Sequence, residues 1–191
     1  MDEYGFNIII RPEWNAKMAK GYESPAYPVP YVVVYYNTET EKCTNREECS
    51  KIINELQAFH QKLGLSDIHF NFLIGGDGMV YEGRGWFRKP SKCVRNHDFD
   101  DQNLAIAYVG DWNRMPVPDI MKTSLVRLVR LGTHRTLIAE NHQVIVEMDG
   151  IPLIGGYKRT KGFRRKHRGG YGLGFGLTYN AKEAKFGRVL K

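Results

Sequence analysis

Histidine, cysteine, clustered aromatic and clustered basic side chains are where this 191-residue chain could do chemistry. Its six histidines, His60, His69, His97, His134, His142 and His167, are scattered, and none has the spacing of a metal site. Three cysteines, Cys43, Cys49 and Cys93, cannot all pair within the chain, because the count is odd. Cys43 and Cys49 lie six residues apart at an expected helix start, Cys93 stands in a polar loop, and no cysteine follows it. Tyr35, Tyr36 and Phe70 are aromatic, a residue type that is more often plain core than a ligand platform. The net charge of +7 is concentrated: residues 157–168, YKRTKGFRRKHR, hold seven Lys or Arg and no acid. Without them the remainder is formally neutral. Such a segment reads either as a solvated tail or as a contact for an anionic partner, whether phosphate, acidic lipid or nucleic acid.

The elements that must position these residues follow from pattern. The length and the 42% hydrophobic content suit one globular domain. No apolar run approaches the roughly 20 residues of a membrane span, so no transmembrane segment is expected in this chain. The opening MDEYGFNIII carries acids where a signal peptide has a basic region, so none is visible here, and a cytoplasmic location stays open. Asn7–Ile10 reads as a short strand, and prolines 25, 28 and 30 keep the next segment extended. Tyr31–Tyr36 is a β-branched and aromatic run that suits a strand buried on both faces. Thr44 or Asn45 can cap a helix running to about Leu63, with Ile52, Leu56, Phe59 and Leu63 as its apolar face, stopped by Gly64. A polar loop over 87–103, a strand over Leu104–Val109, a helix from Asp119 to about Leu131 with Met121, Leu125 and Leu128 on one face, and a strand over Asn141–Glu147 follow. From Gly155 on, Gly, Lys, Arg and aromatics dominate with neither helical nor strand periodicity. The expected fold class is α/β, a mixed central β-sheet flanked by helices.

Between the two halves lies FNFLIGGDGMVYEGRGW, residues 70–86. Phe70, Phe72 and Ile74 alternate with Asn71 and Leu73. Gly75, Gly76, Asp77 and Gly78 make a turn needing positive φ, and Met79–Tyr81 resume the strand. Together with Arg11-Pro12-Glu13-Trp14 and Gly110-Asp111-Trp112, this stretch resembles the peptidoglycan recognition protein family, related to the phage lysozyme-type zinc amidases. The resemblance covers roughly residues 6–147. It implies a domain over 6–150, incomplete at its C-terminal end, and a divergent basic, Gly-rich tail over 151–191. It also implies a disulfide between Cys43 and Cys49, worth about 2–3 kcal/mol for so short a loop, and with it an oxidising, extracellular or receptor-ectodomain setting.

Amidases of that family hold zinc with two His and one Cys and leave a position open for water, while a Tyr assists near the oxyanion. The matching positions here are Tyr35, Glu147, Gly155 and, for the assisting Tyr, Phe70. Phenol is a poor zinc ligand at neutral pH because its pKa is about 10, so the resemblance implies a non-catalytic member, without cofactor or metal. The groove residues also depart. The family's Gly-Ala-His after Gly-Arg-Gly-Trp is replaced after Trp86 by FRKPSKC, in a loop some three residues longer. The Arg that pairs with diaminopimelate-type stem peptides is Asp101, a reversed sign. The C-terminal Pro-Gly-x-x-Leu-Tyr helix is not recognisable, and Gly150-Ile151-Pro152-Leu153 is a vestige of it.

The reading that follows is a regulator or receptor of the innate immune response to bacteria, similar to the long-form, non-catalytic LA type in insects, with a tail that an alternative exon could supply. Its partners would be peptidoglycan fragments, bound weakly through Tyr35, Tyr36, Trp86 and Asp101, and a signalling or receptor protein. The alternatives are a peptidoglycan sensor with a groove rebuilt from Tyr35, Tyr36 and Phe70, an amidase with an unforeseen metal site, and a basic-tail binder of nucleic acid or lipid. Residues 157–191 are expected not to form the family's closing helix, since each interior Gly costs a helix about 1 kcal/mol relative to Ala.

Overall fold

In a computed structural model, the described residues are 7–36, 38–91, 102–147 and the backbone of 179–180. β1 (Ile8–Ile9) leads into a 3-10 turn at Arg11–Trp14. β2 (Val29–Tyr35), α1 (Arg46–Lys62), β3 (Phe72–Ile74), β4 (Val80–Glu82), β5 (Asn103–Tyr108), α2 (Asp119–His134), β6 (Ile138–Glu147) and β7 (Tyr179–Asn180) follow. They make one mixed sheet in the order β1-β4-β3-β5-β2-β6-β7. β2 lies at its heart, parallel to both β5 and β6. The β3–β4 and β6–β7 pairs are antiparallel.

Strand alternation divides the core in two. On one face Val33, Tyr35, Ala105, Ala107 and Ile145 meet Ile53 and Leu56 of α1. On the other, Val32, Val34, Leu104, Ile106 and Tyr108 meet Met121, Leu128 and Leu131 of α2. The apolar run in β2 is therefore buried on both faces, as its lack of alternation implies.

Asn45 caps α1 by accepting the Glu48 N–H at 3.0 Å. The buried stripe of α1 is Cys49, Ile53, Leu56, Gln57 and His60. This corrects the expected face of Ile52, Leu56, Phe59 and Leu63, of which Phe59 and Leu63 are 43% and 38% exposed. The pattern misled because two members of the true stripe are polar. Gln57 donates to Asp67 at 2.7 Å, and His60 Nδ1 accepts the His69 N–H at 3.1 Å. A buried polar residue with partners costs little, so it fills a core position that a hydropathy count leaves to its neighbours.

Other boundaries move by a few residues. β2 begins at Val29 and stops at Tyr35. α2 runs on to His134. β6 starts at Ile138, where Ile138 pairs with Val29 before a register shift. In the hairpin turn only Gly78 has positive φ, at 78°. Gly76 is required for a different reason: a Cβ there would lie 2.0 Å from the Cys43 carbonyl oxygen. β7 is a strand where composition indicated none, paired through Tyr179 to Val144. The remainder of the expectation about residues 157–191, and the polar loop holding Cys93, lie outside the described residues.

Motif residues explain the hairpin's position. Arg11 donates to the Gly83 carbonyl and pairs with Asp67 at 2.9 Å. Trp14 Nε1 donates to the Glu82 carbonyl at 2.9 Å. Asn71 is buried and ties β5 to the loop that follows β4. Its Oδ1 accepts the Ala105 N–H at 2.9 Å, and its Nδ2 donates to the carbonyls of Gly85 and Arg88 at 2.8 and 2.7 Å. Arg84 donates through Nε to the Ile68 carbonyl at 2.6 Å and through Nη2 to Ser91 at 2.6 Å.

Candidate functional site

The loop leaving β2 and the outer surface of α1 enclose a groove of about 380 Å³, lined by Thr38, Glu39, Thr40 and Glu41 on one side and by Ile52, Glu55, Leu56, Phe59 and His60 on the other. Phe59 faces outward at the groove, while Ile52 lies at the edge of the core. Its loop is pinned at both ends. Thr38 accepts the Gly110 N–H on Oγ1 at 2.9 Å and donates its own N–H to the Gly110 carbonyl at 3.1 Å. Cys43 and Cys49 are disulfide-bonded with Cα atoms 5.1 Å apart, within the range a bridge needs. Glu39 is held at φ 57°, a conformation that costs a non-glycine residue about 1 kcal/mol.

Behind the groove lies a stack of buried rings. His60 and His69 are 6.4 Å apart between ring centroids. His69 meets Phe70 at 5.0 Å and Tyr35 at 5.5 Å, and Tyr35 meets Phe70 at 5.3 Å. Burial first, then the Arg84 guanidinium, lower the pKa of His60 to about 4, and Asp67 opposes the shift. Burial, then His60 and Arg84, lower that of His69 to about 3. Both imidazoles are thus neutral at physiological pH. His69 Nε2 is buried with no hydrogen-bond partner among the described residues.

The positions matched to the amidase centre do converge. Tyr35 and Glu147 are register partners in adjacent parallel strands, the Tyr36 N–H donates to the Glu147 carbonyl at 2.9 Å, and Phe70 packs on Tyr35. Gly155 lies outside the described residues. The converged set does not fit zinc. It offers a 4% exposed phenol wedged among rings, one carboxylate and a phenylalanine, where zinc takes imidazole and thiolate nitrogen and sulfur. Among the described residues no three His, Cys, Asp or Glu come together in a way that could hold a metal ion.

The aromatic groove expected from Tyr35, Tyr36 and Phe70 is corrected by the same geometry. Neighbouring strand residues face opposite sides of a sheet. Tyr35 and Phe70 are core on the α1 side, whereas Tyr36 packs on Tyr108 at 5.3 Å on the α2 side. Trp86 is also on the α2 side, 4.6 Å from Phe72. Of the weak ligand set, Tyr36 and Trp86 therefore share the α2 side while Tyr35 is core on the other, and Asp101 lies outside the described residues. The groove residues were missed as a set. The signal that finds them is the helical spacing of Cys49, Ile53, Gln57 and His60, which assigns Ile52, Glu55 and Phe59 to the opposite edge of the buried stripe.

The family described as N-acetylmuramoyl-L-alanine amidase matches residues 25–167. Peptidoglycan-recognition protein 1 of Holotrichia diomphalia is 39% identical over 132 residues, which are 65% of this chain and 64% of that protein. The chain spans less than two thirds of the length of this relative and of peptidoglycan-recognition protein LB of Drosophila melanogaster. The solved structure of bumblebee PGRP-SA superposes with a TM-score of 0.69 at 32% identity, covering 74% of this chain and 83% of that one. A Drosophila PGRP-LB mutant in complex with tracheal cytotoxin has the same TM-score at 28% identity, covering 75% and 85%.

Proposed function

The chain belongs to the N-acetylmuramoyl-L-alanine amidase family, among the peptidoglycan-recognition proteins, and we propose that within it this is a non-catalytic recognition module that regulates or receives the innate immune signal from bacteria. The observation that carries the reading is Tyr35. At the position matched to the first zinc histidine, a phenol is packed between Phe70 and His69, with no metal donor set around it among the described residues. Recognition is separable from that loss. The groove beside α1 is a preformed concave site, its rim held by Thr38 and by the disulfide, and a relative of the same fold is known in complex with a peptidoglycan fragment, tracheal cytotoxin.

Peptidoglycan fragments are the proposed ligands, and a signalling or receptor protein is the proposed partner. The buried Cys43–Cys49 bridge supports an extracellular or receptor-ectodomain setting. No helix among the described residues is long and apolar enough to cross a membrane. The basic segment 157–168 is proposed to contact an anionic partner by its charge.

Two measurements test this. Elemental analysis of the purified protein is expected to find no stoichiometric zinc, and incubation with peptidoglycan no release of stem peptide; a chelator-sensitive release would overturn the non-catalytic reading. Calorimetric titration with soluble muropeptides is expected to give a Kd below about 100 µM, roughly −5.5 kcal/mol. Absence of binding at millimolar ligand would overturn the recognition reading.

A further inference from the structure

The parallel strands β2, β3, β5 and β6 all begin at one end of the sheet. A strap, residues 18–28, crosses that end before the chain enters β2. It is tied down along its length. The Met18 carbonyl accepts from Gln61 Nε2 at 3.0 Å, the Lys20 N–H donates to the Ser66 carbonyl at 2.8 Å, and the Glu23 carbonyl accepts the Lys89 N–H at 2.7 Å. The rim loop of the groove leaves β2 at its far end, about 20 Å away for a strand of this length.

The strap and the turn after β4 present large side chains to solvent. Met18 is 90% exposed, Tyr22 63% and Phe87 64%. Tyr27 braces them, with its hydroxyl donating to the Trp86 carbonyl and its ring 6.1 Å from that of Phe87. Arg88 lies 4.9 Å over the Tyr22 ring. Further cations are exposed around these rings. Lys20 is on the strap, Lys62 ends α1, and Arg135 follows α2, in the turn whose Leu137 carbonyl accepts the Val29 N–H at 3.0 Å. Against them, the exposed acids of this end among the described residues are Glu23, paired with Lys89 at 3.4 Å, and Glu140 in the irregular start of β6.

A surface that is both cationic and tipped with rings and a thioether matches an anionic lipid bilayer. Lipid phosphates attract Lys and Arg, and amphipathic side chains settle at the boundary between head groups and acyl chains. We propose that this end of the domain docks on anionic phospholipid, with Met18, Tyr22 and Phe87 entering the interface and Lys20, Arg88 and Arg135 on the phosphates. A soluble anionic polymer would engage the cations and leave Met18 and Phe87 without a role. The proposal does not depend on what the groove binds.

The test is partition of the full chain onto sedimented vesicles, of phosphatidylcholine alone and of phosphatidylcholine with an equal part of phosphatidylglycerol. Binding is expected on the anionic vesicles and not on the neutral ones, and it should collapse at about 0.5 M salt, where the Debye length falls to about 4 Å. One cation at such a surface is worth about a fivefold change in partition, so Lys20→Gln and Arg88→Gln should each weaken it about that much. Phe87→Ser and Met18→Ser should weaken it without altering its salt dependence. All four changes are to side chains at the surface, so thermal melts should not move. Residues 157–168 are themselves basic; a partition that none of the four variants moves would belong to that segment and would overturn the proposal. So would equal partition onto neutral vesicles, or retention on heparin without partition onto anionic ones.

Discussion

Acidification should unfold this domain through two histidines. His60 and His69 are 2% and 1% exposed, and burial holds their pKa values near 4 and 3. In the unfolded chain each imidazole titrates near 6.5. Below that pH the unfolded chain binds protons that the folded chain refuses, so stability is full above about pH 6.5 and falls as pH drops towards 4. Each refused proton costs about 1.4 kcal/mol per pH unit. The pair therefore removes up to about 5 kcal/mol between pH 6.5 and 4.5, a large share of the 5–15 kcal/mol typical of a domain. Structure gives the reason that the proton is refused. His60 Nδ1 already accepts the His69 N–H, and Arg84 adds positive charge beside both rings. The assay is urea unfolding at pH 7.5, 6.5, 5.5 and 4.5, for the natural chain and for His69→Phe. That variant removes a nitrogen that is buried without a partner, so it should cost little at pH 7.5 and should roughly halve the slope below 6.5. A midpoint flat between pH 7.5 and 5, or an unchanged slope in the variant, would refute the reasoning.

Two further outcomes follow from close contacts. Gly76→Ala drives a Cβ into the Cys43 carbonyl oxygen, 2.0 Å away; because backbone cannot swing aside as a side chain does, a loss of 2 kcal/mol or more, about the upper range for overpacking, is expected in a thermal melt. Asn71→Ala strands the Ala105 N–H and the carbonyls of Gly85 and Arg88. At about 1–3 kcal/mol for each buried group left unpaired, chemical denaturation should register several kcal/mol, and a change under about 1 kcal/mol would mean that water takes over the role.

Most of the fold was legible because local signals and burial agree. The β-branched run in β2, the Asn45 cap, the glycines of the hairpin and the apolar spacing of α2 each point to one conformation. The misreadings share a cause. Gln57, Asp67 and Asn71 are polar residues that the core takes in because each has a partner from a distant part of the chain, His60 is taken in with the His69 N–H as its partner, and a local pattern cannot see those partners. Reading α1 as an apolar stripe therefore rotated it, hid the groove's wall and assigned Phe59 to the core. The aromatic groove failed for a simpler reason: Tyr35 and Tyr36 are consecutive on a strand, so they cannot share a face. β7 escaped notice because two residues carry no periodicity; their pairing with β6 is decided by what β6 leaves open at the sheet edge.

On the proposed reading, what the scaffold kept and what it replaced differ in physical kind. Arg11, Trp14, Asn71, Arg84 and Gly76 hold backbone to backbone, so replacing any of them strands buried polar groups or forces a clash. A metal site has the opposite economy: it needs polar ligands around a space open to water, a costly arrangement that packing improves when catalysis is not required. Tyr35 and Phe70 fill that space with two rings 5.3 Å apart, and an aromatic pair is worth about 0.5–1.5 kcal/mol beyond the apolar area that it buries. Replacing Tyr35 by the smaller histidine would leave a void against Phe70. The groove escapes this exchange because its rim is anchored elsewhere, at Gly110 and at Cys49. Filling the amidase position therefore leaves the anchors of the groove's rim untouched.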